Sequence, residues 1–213
     1  MKNKKLIAVL IVFALMLGLT GCGKKLSVDM LAKAADSYGM QKSEKTTEFK
    51  RLLSDGVTAG ALYVTTNDYE VATDFYTRFI NTSNQYPQYD LDEITIAAAN
   101  ETGSDGKLYL TSFYMMTFED EKKTEKVYNA FLSRYIDDDQ HSKKDKKEGI
   151  TYAIEYIETL TGDSEYARGV YMQGRTILVV SGSSAGGDGN KCTDSICNEM
   201  GLISPLTLKN QKK

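Results

Sequence analysis

Between residues 149 and 159 the side chains alternate, with Ile150, Tyr152, Ile154 and Tyr156 on one side of an extended backbone. A period of two sustained over that length predicts a β-strand with a buried face. Stretches rich in apolar, β-branched and aromatic residues predict further strands at 57–66, 92–100, 107–118, 166–172 and 175–181. The turn between the second and third of these contains Asp105-Gly106, which suits a tight reversal. The last two form a hairpin around Gln173-Gly174. A different period appears between the strands. Leu31, Ala34, Ala35 and Tyr38 are spaced for a helix that Ser27 caps and Gly39 stops. Val71, Ala72, Phe75, Tyr76 and Phe79 predict a helix over 67–81, and Val127, Phe131 and Leu132 one over 119–136. A final helix is expected at 193–200, with Thr193 as its cap. The charge-dense stretch 137–149 reads as a loop.

One internal echo stands out. Residues 61–66 and the helix after them resemble residues 112–117 and their following helix, with a strand offset of 51 and a helix offset of 52. The central order is strand, helix, strand, strand, helix, strand. This predicts an α+β fold of two layers: a mostly antiparallel sheet with helices on one face, a ferredoxin-like βαββαβ core and a C-terminal hairpin and helix. The expected domain spans 27–205, followed by a polar tail at 206–213.

The chain has 213 residues, with 26 Lys and Arg against 29 Asp and Glu. The acidic balance disfavours a general nucleic-acid binder, which needs a basic face to displace counterions. A single His excludes a His-rich metal site.

The first 22 residues have their own grammar. Lys2, Lys4 and Lys5 precede an apolar run at 6–18, and Leu19-Thr20-Gly21-Cys22 follows at once. Such a run spans about 20 Å as a helix, short of the roughly 30 Å of bilayer hydrocarbon. It fits a signal segment. Here the chain resembles bacterial prolipoproteins, whose lipobox is Leu, two small residues and Cys. The resemblance implies that residues 1–21 are removed and that Cys22 becomes a diacylglyceryl-modified N-terminus, with 22–26 as a tether. The implied location is the outer side of the cytoplasmic membrane, with the bilayer as first partner. Two acyl chains hold far more firmly than one. The mature pattern also looks like small lipoproteins of Gram-positive anaerobes whose role is unassigned, a likeness that carries no site residues.

Cys192 and Cys197 remain in a compartment that permits disulfides. With Thr193 as the cap they would occupy the two positions of a hydrophobic staple, where a bridge could close over the helix start. The alternative is two reduced, buried thiols. Their spacing is not that of a redox pair.

Other motifs lead nowhere catalytic. Gly182-Ser183-Ser184-Ala185-Gly186 matches a nucleophile elbow, but helix-breaking residues follow and no His lies downstream. Ser104 and Lys107 fall in a turn rather than on a buried helix. His141 sits among alternating charges, and neither Asp137 to Asp139 nor Asp90, Asp92 and Glu93 have the spacing of a calcium loop. No catalytic residue, metal or cofactor is expected. The remaining candidates are the 14 tyrosines. If helices cover only one sheet face, Tyr109, Tyr114, Tyr152 and Tyr156 could line the open one and bind an envelope protein, peptide or glycan. The competing expectation is a small envelope hydrolase whose Asp/Glu pair meets only in the fold.

Overall fold

The computed structural model describes residues 25–45, 47, 60–77, 91–103, 106–137, 141–159, 164–185 and 190–211. Cys22, the signal segment expected at residues 1–21 and the centre of the 103–107 turn lie outside them.

The fold is α+β, built on one eight-stranded sheet. The strands are β1 (Gln41–Lys42), β2 (Gly60–Thr66), β3 (Leu91–Thr102), β4 (Leu108–Phe118), β5 (Ser142–Lys147), β6 (Ile150–Glu158), β7 (Glu165–Gln173) and β8 (Thr176–Ser184). Their spatial order is β1-β2-β3-β4-β8-β7-β6-β5. Only β1 and β2 pair in parallel. The helices are α1 (Val28–Tyr38), α2 (Tyr69–Phe75), α3 (Glu121–Tyr135) and α4 (Lys191–Glu199), with a 3-10 helix at Pro205–Gln211.

This order corrects the ferredoxin-like expectation. A split βαβ unit would insert a strand between two parallel partners. Here β2 and β3 pair directly and antiparallel, in register from Gly60–Asn100 to Thr66–Ile94. After β4, α3 carries the chain across β8 and β7 toward the far edge. The strands β5 to β8 then return as a meander until β8 pairs with β4.

The helices also lie on both faces rather than one. Leu31, Ala34 and Ala35 of α1 and Ile196 of α4 pack on Phe113, Met115, Leu178 and Val180. Ala72 of α2 and Val127 and Phe131 of α3 pack on Met116, Ile177 and Val179. The cause is visible in β4 and β8, where both strand faces are apolar, so each face needs its own helical cover.

The expected cap places the start of α1 correctly. Ser27 accepts a bond from the Met30 amide, and Gly39 closes α1 at φ 91°, a left-handed value that favours glycine. The final helix differs. Asn190, not Thr193, is its cap and accepts from the Thr193 amide at 3.0 Å. Asn190 also donates to Leu110 O and accepts from the Thr111 hydroxyl, so it ties the helix start to β4. Close approach of α4 to β8 requires glycine at 182: a Cβ there would lie 2.4 Å from Thr193 Oγ1.

The internal echo is sharper in three dimensions. Tyr63 and Met115 bury on the α1 side, while Val64 and Met116 bury on the α2 side. Asp68 caps α2 through the Val71 amide, and Asp120 caps α3 through the Lys123 amide. All these pairs are separated by 52 positions. The strand offset of 51 is therefore corrected by face, and no residue is inserted between strand and helix.

Two segments expected to be irregular are ordered. The charged stretch after α3 contains β5, an edge strand whose turn into β6 uses Glu148 and Gly149 at φ 51° and 82°, as a two-residue I′ turn requires. The expected polar tail instead packs on β6 and β7 as the 3-10 helix, with Leu208 against the core.

Candidate binding face

Among the described residues, Tyr109, Tyr114, Tyr152 and Tyr156 do not line an open face. Tyr152 is buried in the α1-side core and stacks on Tyr171, ring centroids 6.1 Å apart. Tyr156 is also buried, on the same side of the sheet as Tyr152. Tyr109 is half-buried on that side, and Tyr114 is half-buried against the α3-side core. The physical reason is the helices on both faces.

Nor do Cys192 and Cys197 form a bridge; both are free, buried thiols. Because Asn190 starts the helix, both lie within α4. Five residues of helix separate them by about 7.5 Å along the axis, beyond the reach of a disulfide. Burial pushes the Cys192 thiol up to about 12, with the Glu101 charge adding to it. Cys197 is also raised, first by burial. Neither is a ready nucleophile, because the thiolate is disfavoured.

The motif residues fall similarly. Ser184 is the last residue of β8, buried, and its hydroxyl lies 3.4 Å from Glu165 Oε2. His141 is a half-buried turn residue whose carbonyl accepts from the Tyr156 amide. Among the described residues no group of three or more His, Cys, Asp or Glu could hold a metal.

Two buried carboxylates lie on opposite faces of the sheet, offset by three residues along the β6–β7 pair. Glu155 accepts from the Asp137 amide at 2.8 Å and faces Arg168 Nη1 at 3.6 Å. Glu165 is bonded to Lys209 Nζ at 2.6 Å. Each is neutralised by a specific base, which suits a structural charge pair. Glu93 differs. Burial first, then the charges of Asp29 and Asp92, raise it above its ordinary value of 4.5. A raised glutamate destabilises the native state as pH climbs through its folded value, and the penalty is absent below 4.5. Glu93→Gln should therefore raise stability at neutral pH by about 0.5 kcal/mol, the scale of a screened surface interaction. Thermal melts of both proteins should converge below pH 4.5; a difference independent of pH would contradict this cause.

The exposed apolar surface lies elsewhere, at the β3–β4 hairpin end of the α2/α3 side. Leu108, Leu110 and Tyr166 are 45%, 39% and 40% exposed, among the most exposed large apolar residues described. Register connects them: Leu110 pairs with Ser183 on β8, and Ser183 with Tyr166 on β7. Leu110 and Tyr166 therefore stand roughly 10 Å apart, two strand spacings, with a small serine between. One step toward the helices, Ser112, Ser181 and Arg168 form the next row. The Arg168 guanidinium lies 6.0 Å from the Tyr166 ring centroid, holding that ring beside the Glu155 pair. The result is a shallow trough with a polar floor and apolar walls. Strand membership alone does not point to this patch, because buried and exposed tyrosines both lie in strands. The useful signal was parity: Leu108 and Leu110 share the face of Tyr114, beyond the reach of α3.

No protein-family model and no curated protein matches the chain. Among solved structures, it is similar to the extracellular domain of PknH from Mycobacterium tuberculosis, with a TM-score of 0.43 and 9% identity over 84% of this chain and 96% of that one. It is also similar to an uncharacterized protein from Mycobacterium smegmatis, with a TM-score of 0.26 and 12% identity over 71% of this chain and 80% of that one. Likenesses this distant carry no argument about function. Among the described residues no helix is long and apolar enough to cross a membrane.

Proposed function

We propose that this chain is a lipid-anchored, non-catalytic module on the outer side of the cytoplasmic membrane, which binds an envelope partner through the Leu110–Tyr166 trough. The anchoring rests on Leu19-Thr20-Gly21-Cys22. The observation that carries the binding role is the clustering of Leu108, Leu110 and Tyr166 in one exposed patch. Apolar side chains flanking polar groups are the composition of a recognition surface. The patch also sits well away from the anchor. Leu26 is buried and its amide donates to Gln173 Oε1 at 2.7 Å, at the β7–β8 turn. Leu110 lies at the other end of β4, roughly 23 Å along the strands.

The hydrolase reading gains less support, because Glu155 and Glu165 are each engaged by a base and buried on opposite faces. The test is site-specific photocrosslinking in the native envelope, with the photoreactive residue at Leu110, Tyr166 or, as control, exposed Lys126 on α3. An adduct of defined mass at the first two positions and not the third is expected. Equal adducts at all three positions, or none, would contradict a binding role for the trough.

A further inference from the structure

The exposed edge of the sheet carries a concentrated charge. Strand β5 is Ser-Lys-Lys-Asp-Lys-Lys, and all five of its charged residues are exposed. Including Glu148 in the following turn, this edge has a net charge of two positive units, on a chain whose overall balance is negative. Asp137, Asp138 and Asp139 precede the strand in sequence at its Ser142 end, the end away from the β5–β6 turn. Other acids gather across the sheet. Glu70, Asp92, Asp120 and Glu121 sit at the starts of α2, β3 and α3. That corner is built on β2 to β4, and β4 lies four strand spacings from β5, roughly 19 Å.

The anchor point brings the basic edge to the bilayer. Gln173, which holds the Leu26 amide, is also the nearest neighbour of Gly149 in the β5–β6 turn: a Cβ on Gly149 would lie 3.4 Å from Gln173 Nε2. Leu26 is therefore beside the Lys147 end of β5. Only four residues separate Leu26 from Cys22, a span of at most about 14 Å. Lys24 and Lys25 lie within it. A domain moored so closely cannot turn freely. Glu121 of the acidic corner also lies at this turn, 3.5 Å from where a Cβ on Gly174 would sit, so the anchor stands between the two charges and an anionic surface tilts the domain toward β5 and away from Glu121.

We propose that β5 and its turn are a docking surface for the anionic headgroups of the bilayer that holds Cys22, so that the domain rests on this edge. The proposal depends on the lipid anchoring of the preceding subsection. At about the interaction expected per basic residue near such a surface, two net charges favour the docked orientation roughly 30-fold. Lysines on an edge strand also prevent edge-to-edge pairing; that role alone predicts no response to lipid charge.

The test uses the full acylated chain with Asp145→Cys on β5 or Glu125→Cys on α3. A thiol-reactive environment-sensitive dye will label the new site selectively, because Cys192 and Cys197 are buried and Cys22 is blocked by its lipid. Each protein is reconstituted in phosphatidylcholine vesicles with or without phosphatidylglycerol, and dye quenching by a headgroup quencher is read. Quenching at position 145 in the anionic vesicles only, lost at 1 M salt, is the expected result, with position 125 unchanged. Replacing Lys143, Lys144, Lys146 and Lys147 with Gln should abolish it. Equal quenching at 145 in neutral and anionic vesicles, or none in either, overturns the proposal. Loss of the anchor itself would register separately, as failure of the chain to float with neutral vesicles.

Discussion

Tyr171→Ala is expected to remove about 3–5 kcal/mol of stability, as truncation of a large buried aromatic does. Against a typical total of about 5–15 kcal/mol, that loss leaves the domain near its unfolding threshold. Tyr171 is fully buried on β7, two strands in from the β5 edge. Its ring stacks on Tyr152 and folds back over Gly169, where a Cβ would lie 2.6 Å away. Its hydroxyl donates to Ile203 O at 2.6 Å, fixing the turn that leads from α4 to the C-terminal 3-10 helix. Removing the ring opens a cavity under β6 and frees that turn together. Tyr171→Phe keeps the ring and deletes the donor, so about 1–3 kcal/mol should be lost. Urea unfolding of the three proteins checks both values. An alanine variant within about 1 kcal/mol of the parent would show that this contact set does not hold the C-terminal segment.

The second large effect is on location rather than stability. Cys22→Ser removes the sulfur that a lipoprotein of this pattern must have acylated before cleavage. Residues 1–21 should then remain attached, and the chain should carry no diacylglyceryl group. The domain itself should fold unchanged, since its described core begins at Leu26. The intact mass and the thermal midpoint of the variant read the two statements separately. A variant that is still acylated and released only by detergent would contradict the role given to Cys22.

The sequence made the strands legible because Ile150, Tyr152 and Ile154 alternate, and the helices because Leu31, Ala34 and Ala35, like Val127 and Phe131, follow helical spacing. It did not show how many sheet faces were covered. A run such as Phe113 to Met116 is apolar on both sides, which fits a doubly covered strand as well as a short buried helix. Strand β5 was hidden for the opposite reason. Its lysines suit an edge but carry no apolar alternation, so only the pairing with β6 identifies it. The final helix was misplaced by three residues at its start because Asn190 and Thr193 are both competent caps. Long-range bonds from Asn190 to β4 decide between them. That choice also moved Cys192 and Cys197 into the helix and separated them. The trough at Leu110 and Tyr166 depends on which rows α2 and α3 leave uncovered, a property of the assembled sheet that no local pattern encodes.

The most direct measurement is the intact mass of the native protein extracted from membranes with detergent. A mature chain beginning at Cys22 and carrying a diacylglyceryl group is the predicted species. An unmodified polypeptide still beginning at Met1, recovered from the cytosol, would contradict the anchoring, the external location and the binding role built on them.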